Sequence, residues 1–267
     1  MAVRSALINV MAGAARKAGR GLIRDFGEVE NLQVSQKGPA DFVSTADLKS
    51  EKTIRAELEK ARPGYGFMME ESEATVGDGK NRWIVDPLDG TLNFLHGIPH
   101  FAISIALERE GEIIAGVVYE PLRDEEYWAE KGSGAFVSDR RLRVSGRRGL
   151  GDSVIATGIP FREYGDHPTF LRTQAAVMSQ VAGVRRFGAA ALDLAYVAAG
   201  RYDGFWEFTL KPWDIAAGLL LVKEAGGYVS DFVTQGGDML KTGNVLATND
   251  SLHTPLGNLL RNAIKQR

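Results

Sequence analysis

WIVDPLDGTLNF, residues 83–94, runs an apolar triplet into two carboxylates set three positions apart. Trp83, Ile84 and Val85 read as a buried strand, and Asp86-Pro87-Leu88-Asp89-Gly90-Thr91 as its end. Pro87 fixes its own φ and biases Asp86 toward extended geometry, while Gly90 permits a sharp turn where a side chain would clash. Asp86 and Asp89 then project near one point, with the Leu88 carbonyl exposed between them. Two carboxylates and a carbonyl oxygen form a hard-cation site suited to Mg²⁺. An Asx-type turn with solvated acids is the competing reading of the hexapeptide by itself.

Acid recurs in three other places. FMMEESEA (67–74) sets Glu70 and Glu71 after a short apolar run, where a solvated loop is the plainer alternative. KPWDIAAG (211–218) puts Asp214 at the mouth of an apolar helix, where it could be a helix cap and nothing more. FVSTADLKSE (42–51) puts Asp47 three residues after Ser44, the spacing of a capping box.

The rest of the composition narrows the chemistry. With 267 residues, 44% of them hydrophobic, there is enough apolar side chain for a sizeable core. A net charge of −2 supplies no global basic field to draw the chain to nucleic acid or anionic lipid. The absence of cysteine excludes disulfides, thiolate metal sites and thiol nucleophiles, and it accords with a cytoplasmic setting. His96, His100, His167 and His253 show no zinc-like spacing. Near the N-terminus Leu7, Val10, Met11, Ala14, Ala18 and Leu22 recur at helical spacing with Arg16, Lys17 and Arg20 between them, which predicts an amphipathic helix rather than a targeting segment. No run of 18 or more apolar residues is present, so no membrane span is expected.

Along the chain, GPADFVSTADLKSEKTIRAELEKARPG reads as a loop followed by a helix stopped at Pro63-Gly64. Closely spaced apolar runs from Phe101 to about residue 145 predict an antiparallel meander. Beyond residue 151 strands alternate with helices, among them the small-residue helix AAALDLAYVAAG and the buried helix WDIAAGLLLVKEAGG with its glycine stop. The expected organisation is one compact unit: an α+β region over residues 1–150 carrying most of the acidic motifs, and an α/β region over 151–267 carrying Asp214.

WIVDPLDGTLNF together with KPWDIAAGLLLVKEAGG resembles the paired signatures of the inositol monophosphatase family, within the lithium-sensitive, Mg²⁺-dependent phosphatase superfamily that also holds fructose-1,6-bisphosphatases. The likeness runs from Lys37 to Gly227, and RRFGAAALDLAYVAAGRYDGFWEFTLKPWD resembles the bacterial SuhB-type branch. The resemblance implies a layered αβαβα sandwich with a large antiparallel sheet in the first part and a smaller mixed sheet in the second. It implies hydrolysis of myo-inositol monophosphates, with fructose 1,6-bisphosphate, 3′-phosphoadenosine 5′-phosphate or histidinol phosphate as alternatives within the superfamily. It also implies a homodimer and two to three Mg²⁺ ions. Glu70, Asp86 and the Leu88 carbonyl would hold the first ion; Asp86, Asp89 and Asp214 the second; and a third would lean on Glu70. Thr91, bonded to Asp47, would orient the attacking water. Gly90 and Thr91 would offer N–H groups to phosphate, and Glu207 with Gly188, Ala189 and Ala190 would line the substrate pocket.

That assignment is physically coherent. A phosphate monoester carries close to two negative charges, and clustered carboxylates repel it unless metals invert the local sign. Paired divalent ions can hold both the attacking and the leaving oxygen of an in-line displacement. Met69 stands where relatives often have glycine, which bears on the third ion. Lys37 matches a basic residue near a metal-binding loop of the family, and Lys211 could assist substrate binding; for both, simple solvation is the alternative. SuhB-type relatives also point to RNA-polymerase antitermination complexes, for which the run Arg140, Arg141, Arg143, Arg147 and Arg148 could be a contact surface or only a solvated face.

Overall fold

The computed structural model describes residues 4–28, 34–38, 41–160, 165–234 and 236–266. Helix α1 (Ala6–Phe26) starts where the Ser5 hydroxyl accepts the Ile8 N–H at 3.2 Å, and it buries Ile8, Met11, Ala15, Ala18 and Leu22 along one face. Strands β1 (Val34–Gly38) and β2 (Asp41–Ser44) form an antiparallel pair, so the stretch read as a loop before the next helix holds strand structure. Ser44 ends β2 and caps α2 (Thr45–Ala61). Its backbone N–H donates to the Asp47 carboxylate at 2.9 Å and its hydroxyl accepts from Ala46, which is the expected capping box.

Seven strands follow in one sheet, in unbroken spatial order: β3 (Gly66–Met69), β4 (Asn81–Asp89), β5 (Ala102–Arg109), β6 (Glu112–Glu120), β7 (Glu125–Glu130), β8 (Gly134–Val137) and β9 (Arg140–Arg141). β5 to β9 are the predicted meander. β3 pairs parallel to β4, however, so the large sheet is not wholly antiparallel. Period-two alternation sorts its side chains. Trp83, Val85, Ile103, Ile105, Leu107, Val117 and Trp128 face α1 and α2, while Ile84, Ala102, Ala106 and Val118 face the opposite side. Burying each of the larger aliphatic side chains contributes about 1.5–3 kcal/mol.

Helix α3 (Thr91–Leu95) leaves the end of β4. After a 3₁₀ turn at Leu150–Asp152 the chain builds β10 (Val154–Thr157), α4 (His167–Met178), β11 (Gly183–Arg185), α5 (Ala190–Ala198), β12 (Gly204–Glu207), α6 (Pro212–Glu224), β13 (Tyr228–Ser230), α7 (Met239–Thr242), β14 (Val245–Thr248) and α8 (Asp250–Lys265). The second sheet runs β11-β10-β12-β14-β13, with parallel pairs around β10 and antiparallel pairs around β14.

Three cores define the layers. The first lies between α1, α2 and the large sheet, the second holds α5 and α6 between the two sheets, and the third seats α8 and Val177 of α4 outside the small sheet. The order is αβαβα. The middle layer packs closely because its contacts are small: a Cβ added at Gly116 of β6 would lie 2.9 Å from the Ala217 Cα of α6. Among the described residues no helix is long and apolar enough to cross a membrane.

Candidate active site

Residues three apart on a regular strand point to opposite faces, so Asp86 and Asp89 should diverge. They do not, because β4 bulges between them. Asp86 pairs with Ser104 and Asp89 with Ala102, so three steps on β4 match two on β5. Both acids therefore belong to the face that carries Ala102 and Ala106, beneath the middle helical layer. Pro87 tolerates the irregularity because it has no N–H to lose from the ladder. Asp86 holds the bulge from within by accepting the Leu88 N–H at 2.9 Å. Gly90 follows at φ 91°, where a Cβ would press on the His100 carbonyl at 3.0 Å.

One face of α2 supports this turn from behind. Asp47 is fully buried, and the Thr91 hydroxyl lies 2.9 Å from its Oδ1 and 3.0 Å from the Leu88 carbonyl, one proton shared between two acceptors. Three residues on, the Ser50 hydroxyl donates to the Pro87 carbonyl at 2.8 Å. Four residues on, Glu51 accepts the Glu71 N–H at 2.9 Å, which fixes the loop carrying Glu70. Ser50 and Glu51 were absent from the sequence reading. Their i+3 and i+4 spacing from Asp47 is the signal that places all three on one helix face.

The middle layer completes the site. Asp89 accepts the Ala191 N–H at 2.8 Å and caps α5, whose own N-cap, Ala189, has no side chain able to do so. Asp214 lies in the first turn of α6 and accepts the Lys211 N–H at 2.7 Å. The Ser104 hydroxyl donates to the Trp213 carbonyl at 3.1 Å, tying the start of α6 to the strand that faces Asp86. Asn93 donates to the carbonyls of His100 (2.9 Å) and Phe187 (2.7 Å), joining the Gly90–Thr91 turn to the Gly188–Ala189 stretch.

Glu70, Asp86, Leu88, Asp89, Gly90, Thr91, Gly188, Ala189, Ala190, Glu207 and Asp214 all line one cavity of about 320 Å³. Asp47 stands behind it and accepts the hydroxyl of Thr91, which lines it. Its remaining wall is largely apolar, including Ile159, Pro160, Phe170, Phe208 and Trp213, with Arg186 and Lys211 as its basic members. Arg186 was also missed, since one arginine in a basic dipeptide carries no signal of its own.

So many acids in one place cannot all remain charged. Burial, reinforced by Glu70, Asp89 and Asp214, drives Asp86 well above the ordinary carboxylate range. Burial pushes Asp89 up to about 7, against the N–H groups of α5 that favour its charged form. Burial and the charge of Asp89 raise Asp214 to about 7, and burial and Asp214 raise Glu207 to about 8. Asp193, in the first turn of α5, is raised well above its ordinary value by burial and by Glu207, and its Oδ1 has no hydrogen-bond partner among the described residues. Asp47 is raised by burial despite its bonds to Ser44 and Thr91.

This donor set fits hard divalent cations. It offers four carboxylates and a carbonyl oxygen, whose mutual repulsion a cation would relieve. Among the described residues no three acidic or histidine side chains are already posed around a single point. The fit therefore rests on donor chemistry and charge rather than on a preformed cage.

The remaining sequence candidates lie elsewhere. Met69 is buried in the core beneath α1 and α2. Lys37 falls in β1, and its side chain is outside the described residues. His100 is partly buried against Phe187 and Tyr196, and burial lowers it to about 4; His253 bonds Ser230 and Thr248. Within the arginine run, Arg147 pairs with Asp203 and Arg141 packs on the Phe136 ring, while Arg140, Arg143 and Arg148 are exposed.

The chain is similar to known proteins over nearly its whole length. The chain is 62% identical over 265 residues to a protein of Mesorhizobium japonicum named inositol-1-monophosphatase, covering 99% of each. It is 46% identical to a Pseudomonas aeruginosa protein named Nus factor SuhB, covering 91% of each. The crystal structure of extragenic suppressor protein suhB from Bartonella henselae superposes with a TM-score of 0.93 at 59% identity, over 96% of this chain and 99% of that one. The sequence pattern of the inositol monophosphatase family matches residues 4–265, and the chain belongs to that family.

Proposed function

We propose that the protein is a Mg²⁺-dependent phosphomonoesterase that hydrolyses myo-inositol monophosphates to inositol and phosphate. The carrying observation is that Glu70, Asp86, Asp89 and Asp214, from three separate segments, line one cavity beside Thr91, whose hydroxyl bonds the buried Asp47. Two to three Mg²⁺ ions held by these acids and the Leu88 carbonyl would supply positive charge for the phosphate and acidify a water molecule.

The chain's own groups do the rest. Thr91 donates to Asp47, which leaves its oxygen lone pairs to accept from and orient the attacking water. The backbone N–H groups of Gly90 and Thr91 are offered to the phosphate. Glu207 and the Gly188–Ala190 stretch face the leaving polyol, where a carboxylate suits hydroxyl donors. The apolar wall limits water around the reacting group.

Phosphate release from myo-inositol 1-phosphate, followed with and without Mg²⁺ and then with Li⁺, tests this reading. Release that requires Mg²⁺, is suppressed by Li⁺ and disappears in Asp89→Asn and Asp214→Asn is expected. Full turnover in both variants would overturn the metal assignment, and comparable turnover on fructose 1,6-bisphosphate or histidinol phosphate would overturn narrow inositol specificity.

Similarity to chains named Nus factor SuhB favours a second, compatible reading: association with RNA polymerase and antitermination factors through a surface independent of the cavity. Capture of the polymerase by Asp89→Asn as well as by the wild type would support it. A homodimer is the proposed assembly, to be checked by sedimentation.

A further inference from the structure

Glu207 ends β12, and the small sheet places a specific neighbour beside it. β10 and β12 run parallel with Ile155 opposite Gly204, Ala156 opposite Phe205 and Thr157 opposite Trp206. One residue further the register brings Gly158 beside Glu207, and paired residues on adjacent strands point their side chains to the same face. The pairing is tight here, because the Thr157 hydroxyl donates to the Trp206 carbonyl at 2.8 Å.

Gly158 has no side chain to present, and the carboxylate of Glu207 occupies that space. A Cβ built on Gly158 would fall far inside van der Waals contact with Cδ and both carboxylate oxygens of Glu207. No other glycine among the described residues is filled by the head group of an acid that lines the cavity. Nor is the glycine there for its backbone: φ at 158 is outside the left-handed region, so an alanine fits the main chain. What an alanine would displace is the end of a flexible side chain, so the response is a rotation of Glu207 rather than a shift of the sheet.

We propose that Gly158 is a specificity-determining residue: the notch it leaves seats the Glu207 carboxylate against the sheet, at the position from which it accepts hydroxyl groups of a polyol phosphate. The proposal rests on the reading of Glu207 as the hydroxyl-binding group. Filling the notch moves that acceptor and leaves the acids of the β4 bulge where they are. Its effect therefore falls on discrimination between leaving groups more than on phosphate-ester cleavage as such.

The test is a selectivity ratio, kcat/KM for myo-inositol 1-phosphate divided by kcat/KM for p-nitrophenyl phosphate, whose leaving group carries no aliphatic hydroxyls. Gly158→Ala should lower the ratio about tenfold or more, the order of one hydrogen bond lost in a buried site, chiefly through KM for the inositol ester. Glu207→Ala should lower it similarly, and the double variant no further, since the notch matters only when an acid fills it. A ratio that survives Gly158→Ala but falls in Glu207→Ala would overturn the notch and leave the hydroxyl reading standing. A ratio that survives both would overturn the hydroxyl reading, and the notch with it. Thermal unfolding of each variant checks the fold. If Gly158→Ala alone is unfolded but becomes stable when combined with Glu207→Ala, the glycine serves folding rather than selectivity and the proposal is overturned.

Discussion

The carboxylate of Asp89 is pulled in opposite directions by its neighbours. The N–H groups at the start of α5 favour its charge, whereas burial and Glu70 oppose it, and the balance lies at about 7. Asp214 lies at a similar value. Both folded-state values are above the ordinary 3.8 of an unfolded aspartate. The stability contributed by their protonated forms is therefore complete below about pH 4 and is lost as the pH rises through about 7. Without divalent metal the melting temperature should fall by several degrees between pH 5 and pH 8, and Mg²⁺ at pH 8 should restore it. Calorimetry in EDTA and in Mg²⁺ measures both. Asp89→Asn, neutral at every pH and still able to cap α5 through its amide oxygen, should show a shallower fall while losing about 100-fold or more in turnover. An Asp89→Asn profile as steep as that of the wild type would place the pH sensitivity elsewhere.

Elements turn such residues into a site through small side chains and irregular pairing. Gly116 lets the backbone of helix α6, which carries Asp214, lie close against the sheet at Ala217. Gly116→Val should force α6 outward, costing about 1–3 kcal/mol in urea denaturation and weakening Mg²⁺ binding in titration calorimetry. Unchanged values for both would show that α6 is not held by this contact. At this scale the sequence was only partly legible. Helical spacing in α1 and the buried character of α6 were plain, as was the meander from β5 to β9. Strand β2 lies in the stretch that reads as a loop, because a strand ending in a polar capping box is too short to alternate visibly. The parallel pairing of β3 with β4 was not legible either, since neighbours in a sheet are chosen in space. Asp86 and Asp89 were expected to converge on account of a turn; the structure brings them to one face by a bulge within the strand.

For the whole molecule, the resemblance gathered four acidic motifs that spacing alone could not bring together. The hydrogen bonds that hold them belong to distant partners, as Ser104 shows by bonding Trp213 across 109 positions. Residues such as Ser50, Glu51 and Gly158 acquire meaning only from what lies across from them, so composition and periodicity pass over them. The middle layer has a further consequence. Helices α5 and α6 come late in the chain yet cover the inner face of a sheet built much earlier. Cutting the chain at the exposed Gly149 would leave one fragment with Asp47, Glu70, Asp86, Asp89 and Thr91, and another with Glu207 and Asp214. Each fragment should be silent by itself, and co-expression should restore phosphate release as the second fragment docks its helices onto the first. Activity in either fragment alone would contradict the shared site. A fold that divides its acids between interlocking halves is thus a ready-made complementation reporter, in which turnover records the meeting of two polypeptides.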